Sequence, residues 1–393
     1  MDIFEKCGQF TDARLAKAAG IYPYFMPLED TEGTEVVVDG KRVLMIGSNN
    51  YLGLTTDPRV RRASIEAVER YGTSCTGSRF LNGTLRMHLE LEERLAAFVG
   101  KEAALVFSTG YQTNLGVISC LVGRGDVVVA DKDDHASIVD GCLLALGEMR
   151  RFSHNDLTHL DRVLSGIDEK VGRMVVVDGV FSMGGDLAPL PGLIEVCRAH
   201  GARLMVDDAH SLGIMGGGRG TAAHFGVTEH VDLIMGTFSK SFASLGGFIA
   251  GDDDVVHYIQ HHARSLIFSA SMPASNVAAV LAALDIMENE PERVERLWAV
   301  TERMRAGLKS LGFNMGPSVT PIIPIVTGDQ ATTILAWKKC FDAGLYTNPV
   351  LPPAVPVDSC LLRTSYMATH TDEQIDRALE IFARVGKDLE LIG

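Results

Sequence analysis

The sequence predicts an α/β fold, a mostly parallel sheet covered on both faces by helices, followed by a smaller C-terminal α+β domain. Three observations predict it. Between about residues 45 and 270, short β-rich runs alternate with helical stretches, the pattern of a sheet built from strand–helix–strand units. Several runs are almost wholly apolar, among them AALVFS (103–108), DVVVAD (126–131) and RMVVVDGVFS (173–182), which suits strands buried on both faces. After about 275 the texture changes to long amphipathic helices and two isolated strand candidates.

In chain order, residues 1–45 form a mixed segment ending in a hairpin signal. Asp39-Gly40 in EVVVDGKRVLMIG separates two apolar runs, the turn chemistry of a tight hairpin. The large domain, 46–275, carries the three runs above and then ARLMVDDAH (202–210), VDLIMGTFS (231–239) and GGFIAG (246–251). The C-terminal domain, 276–393, continues helices that start near Ala274 and end near Gly312, then holds PIIPIV (321–326) and SCLLRTSY (359–366). Its last helix opens at a capping-box signal between Thr371 and Gln374. Ile375, Leu379, Phe382 and Val385 then recur at helical spacing.

Composition narrows the function. A chain of 393 residues exceeds one ordinary core, and 46% hydrophobic with 22% charged residues describes a soluble globular protein. The net charge of −14 argues against nucleic acid or an anionic membrane as partner. Seven scattered cysteines with no CxxC signal neither a disulfide framework nor a zinc site. The N-terminus has no signal-peptide core, and the longest apolar runs are too short to span a bilayer. The expectation is a cytoplasmic protein with reduced thiols and no integral membrane segment.

The candidate site lies where polar residues follow the apolar runs, since ligands of parallel sheets bind beyond the carboxyl ends of strands. Lys240 sits in GTFSKSFASLGG, among Ser, Thr and Gly. A lysine in such a turn is ordinarily a solvated cation; here Gly246 and Gly247 also remove side chains where backbone must pass close to something. Asp207 ends the run LMVD, and a carboxylate buried there needs a partner. His210 follows three residues on, and His135 lies beyond DVVVAD. STGYQTN (108–114) opens a helix with small residues, so its backbone N–H groups favour an anion such as phosphate. HYIQHH (257–262) has no HExxH glutamate and reads as a solvated helix face, so no metal is expected. An anion site, a flat-ring partner, an acid and an amine are all answered by one ligand, pyridoxal 5′-phosphate.

The motifs GSRFLNGT (77–84), DHASIVDG (134–141), VDDAHSLG (206–213), GTFSKSFASLGG (236–247) and LRTSYMATHT (362–371) resemble those of the α-oxoamine synthases, a family of fold-type I pyridoxal-phosphate enzymes. The resemblance covers nearly the whole chain and is closest to the soluble bacterial serine palmitoyltransferase branch. It implies that Lys240 forms the Schiff base and removes the substrate Cα proton, that Asp207 pairs with the ring nitrogen, and that His210 meets the ring oxygen. It implies that His135 is catalytic, stacking on the ring and helping to place the substrate carboxylate, that Ser182 supports the ring, and that Gly110, Tyr111 and Thr237 hold the phosphate. Ser269 would reach that phosphate from the second subunit of a homodimer with shared active sites, while Arg363, assisted by Asn49, would hold the amino-acid carboxylate. The implied reaction is decarboxylative condensation of L-serine with palmitoyl-CoA to 3-ketodihydrosphingosine. A synthase using glycine with acetyl-CoA, or alanine with a pimeloyl thioester, would keep the same residues. A silent partner subunit on the same fold would be expected to lose the lysine.

Overall fold

In the computed structural model, which describes residues 2–393, the hairpin signalled by Asp39-Gly40 forms. Strands β1 (Asp30–Glu32), β2 (Glu35–Val38) and β3 (Lys41–Met45) run antiparallel in sequence. Asp39 and Gly40 take φ of 49° and 70°, the left-handed pair that a two-residue hairpin demands.

Seven strands then build the central sheet: β4 (Ala103–Phe107), β5 (Val127–Asp131), β6 (Glu148–Phe152), β7 (Arg173–Asp178), β8 (Arg203–Asp207), β9 (Leu233–Thr237) and β10 (Gly247–Gly251). Their order is β4-β10-β9-β8-β7-β5-β6. Only β10 opposes its neighbours; the other pairings are parallel. The carboxyl ends of β4, β5, β7, β8 and β9 therefore share one edge. Every residue of β5, β7, β9 and β10 is buried, as the apolar runs required. Phe107, Val128, Val176, Met205 and Ile249 of the sheet pack with Val117, Ile118 and Ile259 from helices. The edge strand β6, EMRRF, buries only Phe152 fully and gave no apolar signal, since an edge tolerates charge that a central strand does not.

Beyond the helices Ala274–Asn289 and Glu292–Leu311 come β11 (Ile322–Gly328), β12 (Leu345–Tyr346), β13 (Asn348–Val350) and β14 (Cys360–Ser365). β11, β14 and β13 form an antiparallel sheet. The last helix, Asp372–Asp388, has the capping box that its sequence announced. Thr371 Oγ1 accepts from Gln374 N at 3.2 Å, and Gln374 Oε1 accepts from Thr371 N at 3.1 Å.

Two compact units result. One comprises the chain up to Ser48, Ala299–Ser318 and Ile322–Gly393; the other comprises Asn49–Trp298 with Val319–Pro321. This division differs from boundaries at 45/46 and 275/276. β12 adds in parallel to β3, Leu345 opposite Leu44, so the N-terminal hairpin joins the C-terminal elements around Val43, Trp337, Tyr366 and Phe382. Helix Ala274–Asn289 belongs to the larger unit, where Ala274 and Ala278 pack with Ala67. A two-residue strand acquires its partner only through long-range pairing, which local patterning does not encode. Among the described residues no helix is long and apolar enough to cross a membrane, and all seven cysteines are free thiols.

Candidate active site

Loops at the carboxyl edge of the central sheet enclose a cavity of about 240 Å³. One end of it is built by helix Gly110–Leu121. Thr109 caps that helix, its Oγ1 accepting from Gln112 N at 3.1 Å, so the first backbone N–H groups open toward the strand ends. Gly110 is required by crowding: a Cβ there would lie 2.7 Å from Thr237 Oγ1, and one on Gly247 would lie 2.6 Å from the Gly110 Cα. Gly110, Tyr111 and Thr237 all line the cavity. Ser108, at the start of the expected anion loop, instead donates to Ala270 O.

The acid comes from β8. Asp207 is 3% exposed; its Oδ1 accepts from Ala209 N at 2.9 Å and its Oδ2 from Asn114 Nδ2 at 2.7 Å. The neighbouring Asp208 does not line the cavity. It accepts from Thr221 N at 3.0 Å and from Ser211 Oγ, and burial raises its carboxyl to about 6. Adjacent acids in DDAH thus face different tasks, because successive side chains leave a strand on opposite sides.

His135 caps helix Ala136–Leu144, with Nδ1 accepting from Ser137 N at 3.2 Å. Its backbone N–H donates to Asp178 Oδ2 at 3.0 Å. Burial lowers the His135 basicity and Lys240 adds to that, while Asp207 opposes it. Asp178, also on the cavity wall, is driven well above the usual carboxylate range by burial, with the Asp207 charge adding. His210 Nδ1 meets the Tyr51 hydroxyl at 2.8 Å. Ser182 lies in a loop closed by Phe181 N donating to Asp186 O at 3.0 Å. Lys240 occupies the turn between β9 and β10, which is tied by Ala243 N to Lys240 O and Ser244 N to Phe238 O. His135, Ser182, His210 and Lys240 all reach the same cavity.

Three expected site residues are not among those lining this cavity. Ser269 does not line the cavity; its Oγ accepts from Gln112 Nε2 at 2.9 Å. Asn49 does not line it either, and its Oδ1 is 3.4 Å from the Tyr51 hydroxyl. Arg363 is buried in β14 of the other unit, opposite Pro324 and Asn348. Conversely, Asn114, Ser137, Asp178 and Tyr51 escaped the sequence reading. Asn114 stands one helical turn after Gly110 and Ser137 two residues after His135, spacings that could have pointed to them.

The cavity fits pyridoxal phosphate on its own observations: a backbone cradle in which a Cβ would collide, a buried carboxylate, and an amine on the turn between β9 and β10. The family model described as Aminotransferase class I and II matches residues 41–382. The serine palmitoyltransferase of Sphingobacterium spiritivorum is 50% identical over 388 residues, 98% of this chain and 97% of that protein. The 8-amino-7-oxononanoate synthase of Geobacter sulfurreducens is 44% identical over 377 residues, 95% and 96% of the two chains. A solved structure of a serine palmitoyltransferase variant from S. paucimobilis, with bound PLP–myriocin aldimine, is similar at a TM-score of 0.97 and 38% identity, with 100% of both chains covered. The fold is that of a fold-type I pyridoxal-phosphate transferase. The chain belongs to the aminotransferase class I and II family.

Proposed function

We propose that this chain condenses L-serine with a long-chain acyl-CoA, palmitoyl-CoA, to give 3-ketodihydrosphingosine, CoA and CO2. It is a pyridoxal-phosphate-dependent acyltransferase. One observation carries the reading: an amine, a carboxylate, an imidazole and a backbone anion cradle line one cavity. The choice of branch is supported by 50% identity to a serine palmitoyltransferase along nearly the whole chain. When bound, the cofactor supplies an electron-withdrawing ring that lowers the cost of charge on the amino acid's Cα.

The protein's own groups do the rest. Gly110, Tyr111 and Thr237 would hold the phosphate, Asp207 the ring nitrogen, and His135, Ser182 and His210 the ring. Lys240 would carry the cofactor in the resting enzyme and then take the substrate Cα proton on Nζ. Arg363, with Asn49, would grip the substrate carboxylate; a planar bidentate guanidinium is suited to that group. Ser269 would serve the phosphate of a second copy, which makes the working form a two-fold homodimer. The enzyme would act in the cytoplasm.

The 44% identity to an 8-amino-7-oxononanoate synthase favours a second reading, alanine with a pimeloyl thioester. Mass spectrometry of products from serine, glycine and alanine, each with acyl-CoAs of two to about eighteen carbons, separates them. Longer chains should win by roughly 0.8 kcal/mol per buried CH2 until the channel ends. Fastest turnover with alanine and pimeloyl-CoA, or with glycine and acetyl-CoA, would overturn the proposed branch. Arg363→Ala should weaken all three amino acids by similar factors and leave the acyl preference unchanged.

A further inference from the structure

A chain of hydrogen bonds joins the cavity's acid to its imidazole. Asn114 Nδ2 donates to Asp207 Oδ2 at 2.7 Å and to Ser137 Oγ at 2.8 Å. The amide could not be turned over, because its oxygen would then face a carboxylate. Its Oδ1 is left buried without a hydrogen-bond partner, so this orientation is kept despite an orphaned acceptor. Ser137 Oγ accepts from Asn114 and therefore has its own proton for His135 Nδ1, 2.7 Å away. The Ser137 backbone N–H addresses the same ring nitrogen at 3.2 Å. Nδ1 accepts from both and carries no proton, which places the imidazole proton on Nε2.

We infer that Asn114 and Ser137 are positioning residues that hold His135 as its neutral Nε2–H tautomer and tether it to Asp207. His135 then presents a hydrogen-bond donor to a ligand in the cavity, not a base, and proton removal is left to Lys240. A donor that keeps its proton is consistent with the amino-acid carboxylate that the family resemblance already gives His135 to place. The charged groups around the ring agree: Asp207 favours protonation, whereas burial and Lys240 oppose it. Asp178 is engaged by the His135 backbone N–H, and the Tyr111 ring stands edge-on with centroids 6.3 Å apart. What His135 touches rests on the proposed function; its tautomer does not.

Nitrogen NMR of isotope-labelled histidine in the cofactor-loaded enzyme and in the cofactor-free chain reads the tautomer directly, with His135→Gln to assign the signals. At about pH 8, above the ordinary histidine range, Nδ1 should resonate as unprotonated and Nε2 as protonated. Ser137→Ala should mix the tautomers and raise the His135 midpoint by about one pH unit; Ser137→Thr should restore the original signals. Asn114→Ala should produce the same mixing and weaken cofactor retention about tenfold through Asp207. A proton on Nδ1 in the unaltered enzyme would overturn the inference, as would unchanged signals in Ser137→Ala. These signals are read without substrate, so an error in the amino acid or acyl chain would surface only in the product assay.

Discussion

Two cavities open at opposite ends of the central sheet. The one at the amino ends of the strands holds about 300 Å³, against about 240 Å³ at the carboxyl ends. Both have charged walls: Asp126, Arg173, Arg203 and Asp232 line the first, and Asp178, Asp207 and Lys240 the second. They differ in what those groups address. At the amino end, Arg173 donates to His200 O at 2.6 Å and to Asp168 O at 2.9 Å. Arg203 pairs with Asp232 Oδ1 at 2.7 Å, and Asp232 Oδ2 accepts from Leu204 N at 2.7 Å. Asp126 Oδ2 accepts from Gly123 N at 2.9 Å. These charges close loops and helix ends; His200, for instance, caps helix Leu190–Ala199. In parallel units helices end before a strand begins, so carbonyls gather at the amino edge and N–H groups at the carboxyl edge. Cavity volume therefore misleads here, and the direction of the chain decides which end can hold an anionic cofactor.

Substitutions at matched positions can break this contrast. The largest effect is expected for Lys240→Ala, which should cut CoA release by on the order of 10⁴-fold, through loss of a base and a covalent attachment point. Arg203→Ala, at the other end, should leave it within about twofold, as surface ion pairs contribute little. Equal losses from the two would erase the distinction between the ends.

Asp207→Asn comes next. Losing a charge-assisted interaction in a dry site should cost about 2–4 kcal/mol in the carbanion-forming step, roughly 30-fold to a thousandfold in rate. Cα-proton exchange of the amino acid in D2O isolates that step, and Asp232→Asn should leave it unaltered. An Asp207→Asn enzyme that exchanges at the normal rate would remove the acid from the mechanism.

Arg173→Ala should act on stability alone. Two hydrogen bonds from a buried guanidinium are lost, so urea unfolding should report about 2–3 kcal/mol less stability, with turnover per folded molecule unchanged. A fall in turnover without loss of stability would assign chemistry to the amino end.

The smallest effect concerns an ion cluster beside the active edge. His154 lies 3.1 Å from Asp131 Oδ1 and 2.8 Å from Asp186 Oδ2. Burial pulls its basicity down, but the two carboxylates outweigh that and hold it at about 10, above the ordinary 6.5. A raised folded value means that the stabilisation is complete below pH 6.5 and fades as pH rises through about 10. His154→Gln should therefore cost about 1 kcal/mol near pH 6 and nothing near pH 11. A deficit that persists in alkali would show that packing, not charge, is the cause.

The sequence by itself determined the elements that short-range physics encodes. Apolar runs specified the buried strands β4, β5, β7, β8, β9 and β10, Asp39-Gly40 the first hairpin, and Thr371 with Gln374 the last helix start. The positions that carry family motifs, from Gly110 to Lys240, were also legible, because each ends its own strand or follows it within a few residues. Tertiary structure alone decided what depends on which strands become neighbours. The order β4-β10-β9-β8-β7-β5 sets Asp207 between Asn114, which follows β4, and Ser137 and His135, which follow β5, although 72 residues separate Asp207 from His135 in the chain. β12 found β3 across some 300 residues, which moved the N-terminal hairpin into the smaller unit. Hydrogen-bond partners and domain membership are products of long-range pairing, whose energy is spread over the whole packed sheet, and no local window of residues contains it.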